Sequence, residues 1–205
     1  RSLQFEGITI LRIDDLDPQR CRSSYAEAAI ADLKWLGVEW QEGPTYQSQR
    51  RELYLNAWRK LRAAGYIYPC MRSRRDVAQA ALAPHKEGPI FPIEWRTPAE
   101  EGMQCLEPRG TNWRFRVPDG ESIAFNDGNY GSITRTASRD FGDFLVWNRD
   151  DIPAYELAVV VDDDDLRQIL RQTPDRQRAH ILLEQTAKGL NADGLSLVLK
   201  NDFGV

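Results

Sequence analysis

No apolar run in the sequence approaches the ~20 residues that a membrane-spanning helix needs, so no membrane partner is expected. The first residues, RSLQFEGITI, lack the signal-peptide order of charge, apolar stretch and small-residue cleavage site, and a cytoplasmic location is expected. Cysteine is scarce. Cys21, Cys70 and Cys105 are odd in number and far apart, which argues against a disulfide framework and fits a reducing compartment. Neither a G-x-G-x-x-G nor a P-loop pattern occurs, which counts against the glycine-rich nucleotide-binding folds. Low-complexity tracts are also absent, and 41% hydrophobic with 28% charged residues is a globular rather than a disordered composition. A net charge of −4 argues against indiscriminate nucleic-acid binding while leaving room for a local basic face.

What is present fits one domain of ordinary size, or one domain carrying an inserted module, able to bury roughly 70% of its unfolded surface. Ile8 to Ile13 read as a strand covered on both faces. Ser24 and Glu27 have capping-box spacing, and Tyr25, Ala29, Leu33 and Leu36 recur at helical intervals before Gly37. A second helix is expected from about Gln49 to Ala64, with Leu53, Ala57, Leu61 and Ala64 on one face and Gly65 as its stop. YIYP reads as a short strand and residues 73–82 as a helix, whereas 83–111 hold too many prolines and glycines for regular elements. From Asn112 to Trp147 four short β-like runs alternate with turn residues and predict a small antiparallel insertion. YELAVVV, residues 155–161, is apolar enough to be a strand returning to the main sheet; a helix opening at Thr173–Pro174–Asp175 and a strand at 195–200 follow. The frame is α/β with an insert.

The first strand delivers Asp14, Asp15 and Asp17 at its carboxyl end, where open α/β sheets collect ligands. A carboxylate cluster there meets a substrate amine or a metal. The competing account is that Asp15 and Asp17 cap the turn before Pro18 and pair with Arg12 or Arg20. Asp162 to Asp165 read as an exposed acid run rather than a magnesium site, because adjacent residues of one element point different ways.

Six segments in one order, LRIDDLDPQR, AIADLKWLGVEW, YQSQRRELY, YIYPC, DFLVWNRDDIPAYELAVVVDD and QTPDRQ, resemble the glutamyl-tRNA synthetases, most closely the short glutamyl-queuosine tRNA(Asp) synthetases. The resemblance is close over 8–77 and 140–163 and looser over 170–200. It implies a class I synthetase Rossmann-like parallel-sheet domain with a small α+β, antiparallel insertion: residues 1–68 and 141–205 as the two parts of the catalytic domain, 69–140 as an acceptor-binding-like module. The implied activity is a ligase reaction, ATP-dependent activation of glutamate and its transfer to the queuosine of tRNA(Asp), with ATP and magnesium as a substrate complex and a monomeric protein. Asp14 stands where the family has a glutamate that receives the substrate's α-amino group, and Tyr155 stands at a substrate-contacting tyrosine. An ammonium on a carboxylate makes a short charge-assisted bond, although aspartate reaches one methylene less than glutamate.

The same resemblance puts a His-x-Gly-His loop ahead of residue 1 and a Lys-Met-Ser-Lys-Ser-like loop after LVLKNDFGV. His85 and His180 fit no such motif, so the chain as it stands is not expected to activate glutamate. The family's Arg-Gly-x-Asp-Leu segment has only DDLRQILR here, and neither Arg167 nor Arg171 aligns. At the positions of the short subfamily's zinc ligands stand Cys70, Arg72, Phe91 and Trp95, and no structural zinc is expected. Arginine is much commoner than lysine and clusters at 50–62, read as helix-surface pairing, and at Arg72, Arg74 and Arg75, read as contacts to the tRNA backbone. Two alternatives remain open: a non-catalytic module that binds tRNA or glutamate, and a catalytic fragment of an ordinary glutamyl-tRNA synthetase.

Overall fold

The computed structural model describes residues 9–80, 90–98 and 100–171. The sequence expectations at 173–175 and 195–200 lie outside them. β1 (Ile10–Ile13) pairs in parallel with β2 (Glu42–Tyr46), connected through α1 (Ser23–Trp35). This strand–helix–strand unit is the α/β part of the fold. β1 is half-buried along its whole length rather than covered on both faces.

Gly43 makes that pairing possible. Its φ of 96° lies in the left-handed region, and a Cβ there would collide with the carbonyl oxygen of Leu11 in β1. Breakers inside EGPTY hide β2 from a propensity reading, which is why the sequence offers no signal for it.

α1 begins at Ser23 after Arg22, with no side-chain cap bond. Ser24 is therefore already inside the first turn, and the expected capping box does not form. Of the predicted apolar stripe, Tyr25, Ala29 and Leu36 are exposed and Leu33 is half-buried, and the half-buried face of the helix is Ala26, Ile30 and Leu33.

A 3₁₀ turn (Gln47–Arg50) leads into α2 (Arg51–Ala63), whose buried face is Tyr54, Leu55, Ala57, Trp58 and Leu61. Leu53 is 38% exposed, since the buried face of the helix is centred on Tyr54, Trp58 and Leu61. Gly65, φ 75°, follows the helix end as expected.

β3 (Ile67–Cys70), α3 (Arg74–Ala80), a 3₁₀ turn (Ile93–Trp95) and α4 (Glu100–Met103) come next. β4 (Asn112–Phe115) sits between β3 and β7 (Phe144–Trp147) in an antiparallel sheet, and β5 (Ser122–Asp127) with β6 (Gly131–Thr136) forms a hairpin. These are the antiparallel strands that the turn spacing predicts. The main core gathers on this sheet. Trp58 meets Trp113 edge-on at 4.8 Å and Phe115 stacks on Phe144 at 5.2 Å, with Trp147 and Leu157 fully buried beside them.

Residues 155–161 are not a strand. They open α5 (Tyr155–Arg171). Leu157, Ala158, Val160, Val161 and Asp162 are buried in it, and with Ala154 just before the helix, Leu157, Ala158 and Val161 form an i, i+3, i+4, i+7 pattern that overrides the β-propensity of the valine run.

Gly43→Ala tests the strand pairing. It should cost about 1–3 kcal/mol through strain and overpacking, read as a lower urea midpoint; an unchanged midpoint would show that β1 does not press on Gly43.

Candidate functional site

β1 ends at Ile13, opposite Tyr46 of β2. The residues that follow, Asp14 and Gln47, leave together at the carboxyl ends of two parallel strands. The three aspartates then divide their work. Asp15 accepts from the Ser48 amide at 2.8 Å and hydroxyl at 2.7 Å, fastening the exit of β1 to the 3₁₀ turn. Asp17 accepts from the Gln19 amide at 2.9 Å and pairs with Arg20 at 3.5 Å, as a turn cap does. Asp14 bonds Arg12 through Oδ1 at 2.7 Å, while its Oδ2 has only a 3.4 Å contact to the same guanidinium. The capping account thus covers Asp17, and Asp15 with Ser48 as partner in place of an arginine. Asp14, 40% exposed, keeps acceptor capacity toward solvent.

Asp14 and Tyr155 both line one open cleft of about 500 Å³, within the size range of small-molecule sites. Tyr155 is the first residue of α5, set by an ordered turn after β7. There the Asn148 side chain accepts from the amides of Asp150 at 3.0 Å and Ile152 at 2.9 Å. Asp151, at φ 64°, accepts two bonds from Arg51 at 2.7 and 2.8 Å and one from the Trp147 indole at 3.2 Å. Arg72 lines the same cleft; Arg75 is exposed and outside its lining, and the Arg74 side chain lies outside the described residues. Gln47, Arg114 and Arg149 line it too. Sequence patterns do not single these three out, since their place depends on register and on a turn.

Beneath the cleft lies a buried carboxylate. Asp162 is fully buried and accepts from the Tyr54 hydroxyl at 2.9 and 3.0 Å, the Gln47 amide at 2.8 Å and Arg50 Nε at 2.8 Å, with Arg12 Nε at 3.8 Å. Arg50 also reaches Asp165 at 2.7 Å, and Arg12 reaches Asp163 at 3.1 Å. The run at 162–165 is therefore not a solvated acid stretch: its first member faces the core because it falls on the buried stripe of α5. Burial, and next the Asp162 charge, raise the Tyr54 hydroxyl far above the usual tyrosine range, so it remains a donor. Burial pulls the Arg12 guanidinium down, but its bond to Asp14 and the charges of Asp163 and Asp162 outweigh this and leave it raised. The helix-surface expectation for the 50–62 group is met by Arg59, which reaches Asn56 at 3.0 Å and Glu52 at 4.0 Å, but not by Arg50 and Arg51, whose short ion pairs are to acids more than ninety residues away in sequence.

The family model of the tRNA synthetases class I (E and Q), catalytic domain, matches residues 2–173. The chain belongs to that family. A glutamyl-Q tRNA(Asp) synthetase of Symbiobacterium thermophilum is 44% identical over 170 residues, 77% of this chain and 52% of that protein. Glutamate–tRNA ligase 2 of Koribacter versatilis is 34% identical over 165 residues, 78% of this chain and 34% of the relative. Among solved structures, a glutamate tRNA ligase from Elizabethkingia meningosepticum, crystallised with its amino acid, aligns at a TM-score of 0.59 and 22% identity over 79% of this chain and 36% of that one. That likeness establishes a shared α/β class I synthetase fold. The chain spans about half the length of the glutamyl-Q relatives it matches.

In this synthetase-family chain, Cys70, Arg72, Phe91 and Trp95 do converge. Cys70 and Phe91 are buried with Tyr68 and Val77, Trp95 packs edge-on against Phe91 at 5.9 Å, and the Arg72 guanidinium lies over the Trp95 ring at 4.6 Å. Ring packing and a cation–π contact fill the position. Among the described residues no group of three or more His, Cys, Asp or Glu side chains is arranged to hold a metal, and no helix is long and apolar enough to cross a membrane.

Asp162→Ala would strand Arg50, Tyr54 and Gln47 without their common acceptor and should cost about 3–5 kcal/mol. Urea denaturation measures it. A loss below about 1 kcal/mol would contradict the central place given to this carboxylate.

Proposed function

We propose that this chain recognises glutamate as part of a glutamyl-queuosine tRNA(Asp) synthetase, which activates glutamate with ATP, brought as its magnesium complex, and transfers it to tRNA(Asp). The observation that carries the reading is the pairing of Asp14 and Tyr155 on one cleft at the carboxyl end of a parallel strand. Asp14 Oδ2 is the oxygen with capacity to spare, and it takes the substrate ammonium. Tyr155 supplies a ring wall and a hydroxyl that bonds a carboxylate. Residues 69–140 act as the inserted acceptor-binding module. Arg72, with Arg74 and Arg75 next to it in sequence, meets the tRNA backbone.

A second reading, a fragment of an ordinary glutamyl-tRNA synthetase, is favoured by the 34% identity to a glutamate–tRNA ligase. Glutamate-dependent ATP–pyrophosphate exchange by the gene's full product separates the readings. Exchange without tRNA supports the glutamyl-queuosine type, exchange that requires tRNA supports the ordinary synthetase, and none under either condition supports a binding module.

Two outcomes test the residues. Asp14→Ala should abolish calorimetric binding of glutamate, and unchanged affinity would remove Asp14 from the site. Affinity for tRNA should fall steeply as salt rises, because guanidinium–phosphate contacts release counterions; a flat salt profile would rule out Arg72, Arg74 and Arg75 as the main attachment.

A further inference from the structure

Arg114 occupies the middle of β4 and is only 5% exposed, yet it lines the same cleft as Asp14 and Tyr155. Its Nη1 donates to the carbonyl oxygen of Asp143 at 3.3 Å, and its Nε is buried with no hydrogen-bond partner. The Asp143 carboxylate forms no ion pair with it. That group is committed to Arg96, at 2.7 Å to each oxygen, to the Tyr68 hydroxyl at 2.6 Å and to the Val117 amide at 3.0 Å. Among the described residues no carboxylate lies within ion-pair distance of Arg114. A buried guanidinium without an ion-pair partner is costly, and the other buried charges among the described residues, Asp143 and Asp162, are paired.

What holds Arg114 in place is aromatic. Its guanidinium lies 4.4 Å from the centre of the Phe91 ring, and the neighbouring ring, Trp95, carries Arg72 at 4.6 Å. Phe91 and Trp95 are edge-to-face, so two arginines rest on one aromatic pair and both reach the cleft. Stacking holds each guanidinium by its face; in Arg114, with Nη1 on the Asp143 carbonyl and Nε buried, Nη2 is the nitrogen left to bond an oxyanion.

We propose that Arg114 forms an oxyanion subsite of the cleft, taking a carboxylate or a phosphate group of the ligand, beside the Arg72 assigned above to the tRNA backbone. As a carboxylate site it deepens, and rests on, the glutamate reading; as a phosphate site it stands without it. Either way the cleft has an acceptor at Asp14 and a donor at Arg114.

The test is calorimetry and thermal melting of the chain at constant ionic strength, with L-glutamate, with glutarate, which lacks the ammonium, and with inorganic phosphate. Arg114→Met should bind the responding anion at least about ten-fold more weakly. Its ligand-free melting temperature should be equal to or above that of the parent, since a buried charge without an ion-pair partner has gone. Loss of glutamate and glutarate together identifies a carboxylate; loss of phosphate alone identifies a phosphate. Should the Met variant fail to fold, Arg114→Lys keeps the charge without the fork, and a several-fold loss is expected. Undiminished anion affinity in the variant that folds, or no response of the parent to any of the three anions, overturns the subsite. If Asp14→Asn leaves glutamate affinity intact while Arg114→Met abolishes glutarate binding, the ammonium assignment fails and the oxyanion subsite stands.

Discussion

The side of the cleft that carries Asp14, Gln47 and Tyr155 depends on one buried carboxylate. Asp162 is out of water, and a lone charge there would be untenable; its hydrogen bonds come from Gln47, Arg50 and Tyr54, with Arg12 close by. Those residues belong to three separate pieces of chain: β1, the 3₁₀ turn and α2. Satisfying Asp162 therefore fixes how α5 lies against the other two helical segments and against the strand that ends in Asp14. A one-residue slip of α5 would turn Asp162 off the buried stripe and move Tyr155 with it. Site geometry and fold stability are one constraint here.

A second buried aspartate repeats the device in the antiparallel sheet. Asp143 accepts from a tyrosine hydroxyl, an arginine fork and a backbone amide, joining β3, the 3₁₀ turn segment at Arg96 and the start of the loop after β4. Burial, and then the Asp143 charge, keep the Tyr68 hydroxyl protonated well above its ordinary range. Apolar packing of Trp58, Trp113, Phe115 and Phe144 supplies most of the cohesion, but it is non-directional. The two aspartate hubs supply direction, and the cleft lies where the elements they orient come together.

Much of the architecture is legible in the sequence wherever one period dominates. The short antiparallel runs between Asn112 and Trp147 are bounded by turn residues, and α2 shows its helical stripe. The family resemblance, carried by ordered segments such as LRIDDLDPQR and DFLVWNRDDIPAYELAVVVDD, is borne out by the match over residues 2–173. Legibility fails where tertiary context wins. The valines of 155–161 favour a strand by propensity, and only the apolar positions at i, i+3, i+4 and i+7 betray α5. Asp162 reads as solvated because a sequence does not show that three hydrogen-bond donors and the Arg12 charge wait for it. β2 is masked by Gly43 and Pro44. Asp14 and Tyr155 were reachable through resemblance, whereas Arg114 and Gln47 depend on the register of strands far apart in the chain.

In the proposed reading, Asp14 faces a ligand's positive end inside the cleft it shares with Tyr155. A crystal structure of the chain grown with L-glutamate tests this most directly. The account predicts the amino nitrogen within hydrogen-bond distance of Asp14 Oδ2 and a carboxylate on the side of Tyr155 or Arg114. Glutamate seated elsewhere, with Asp14 still turned only to Arg12, would contradict it.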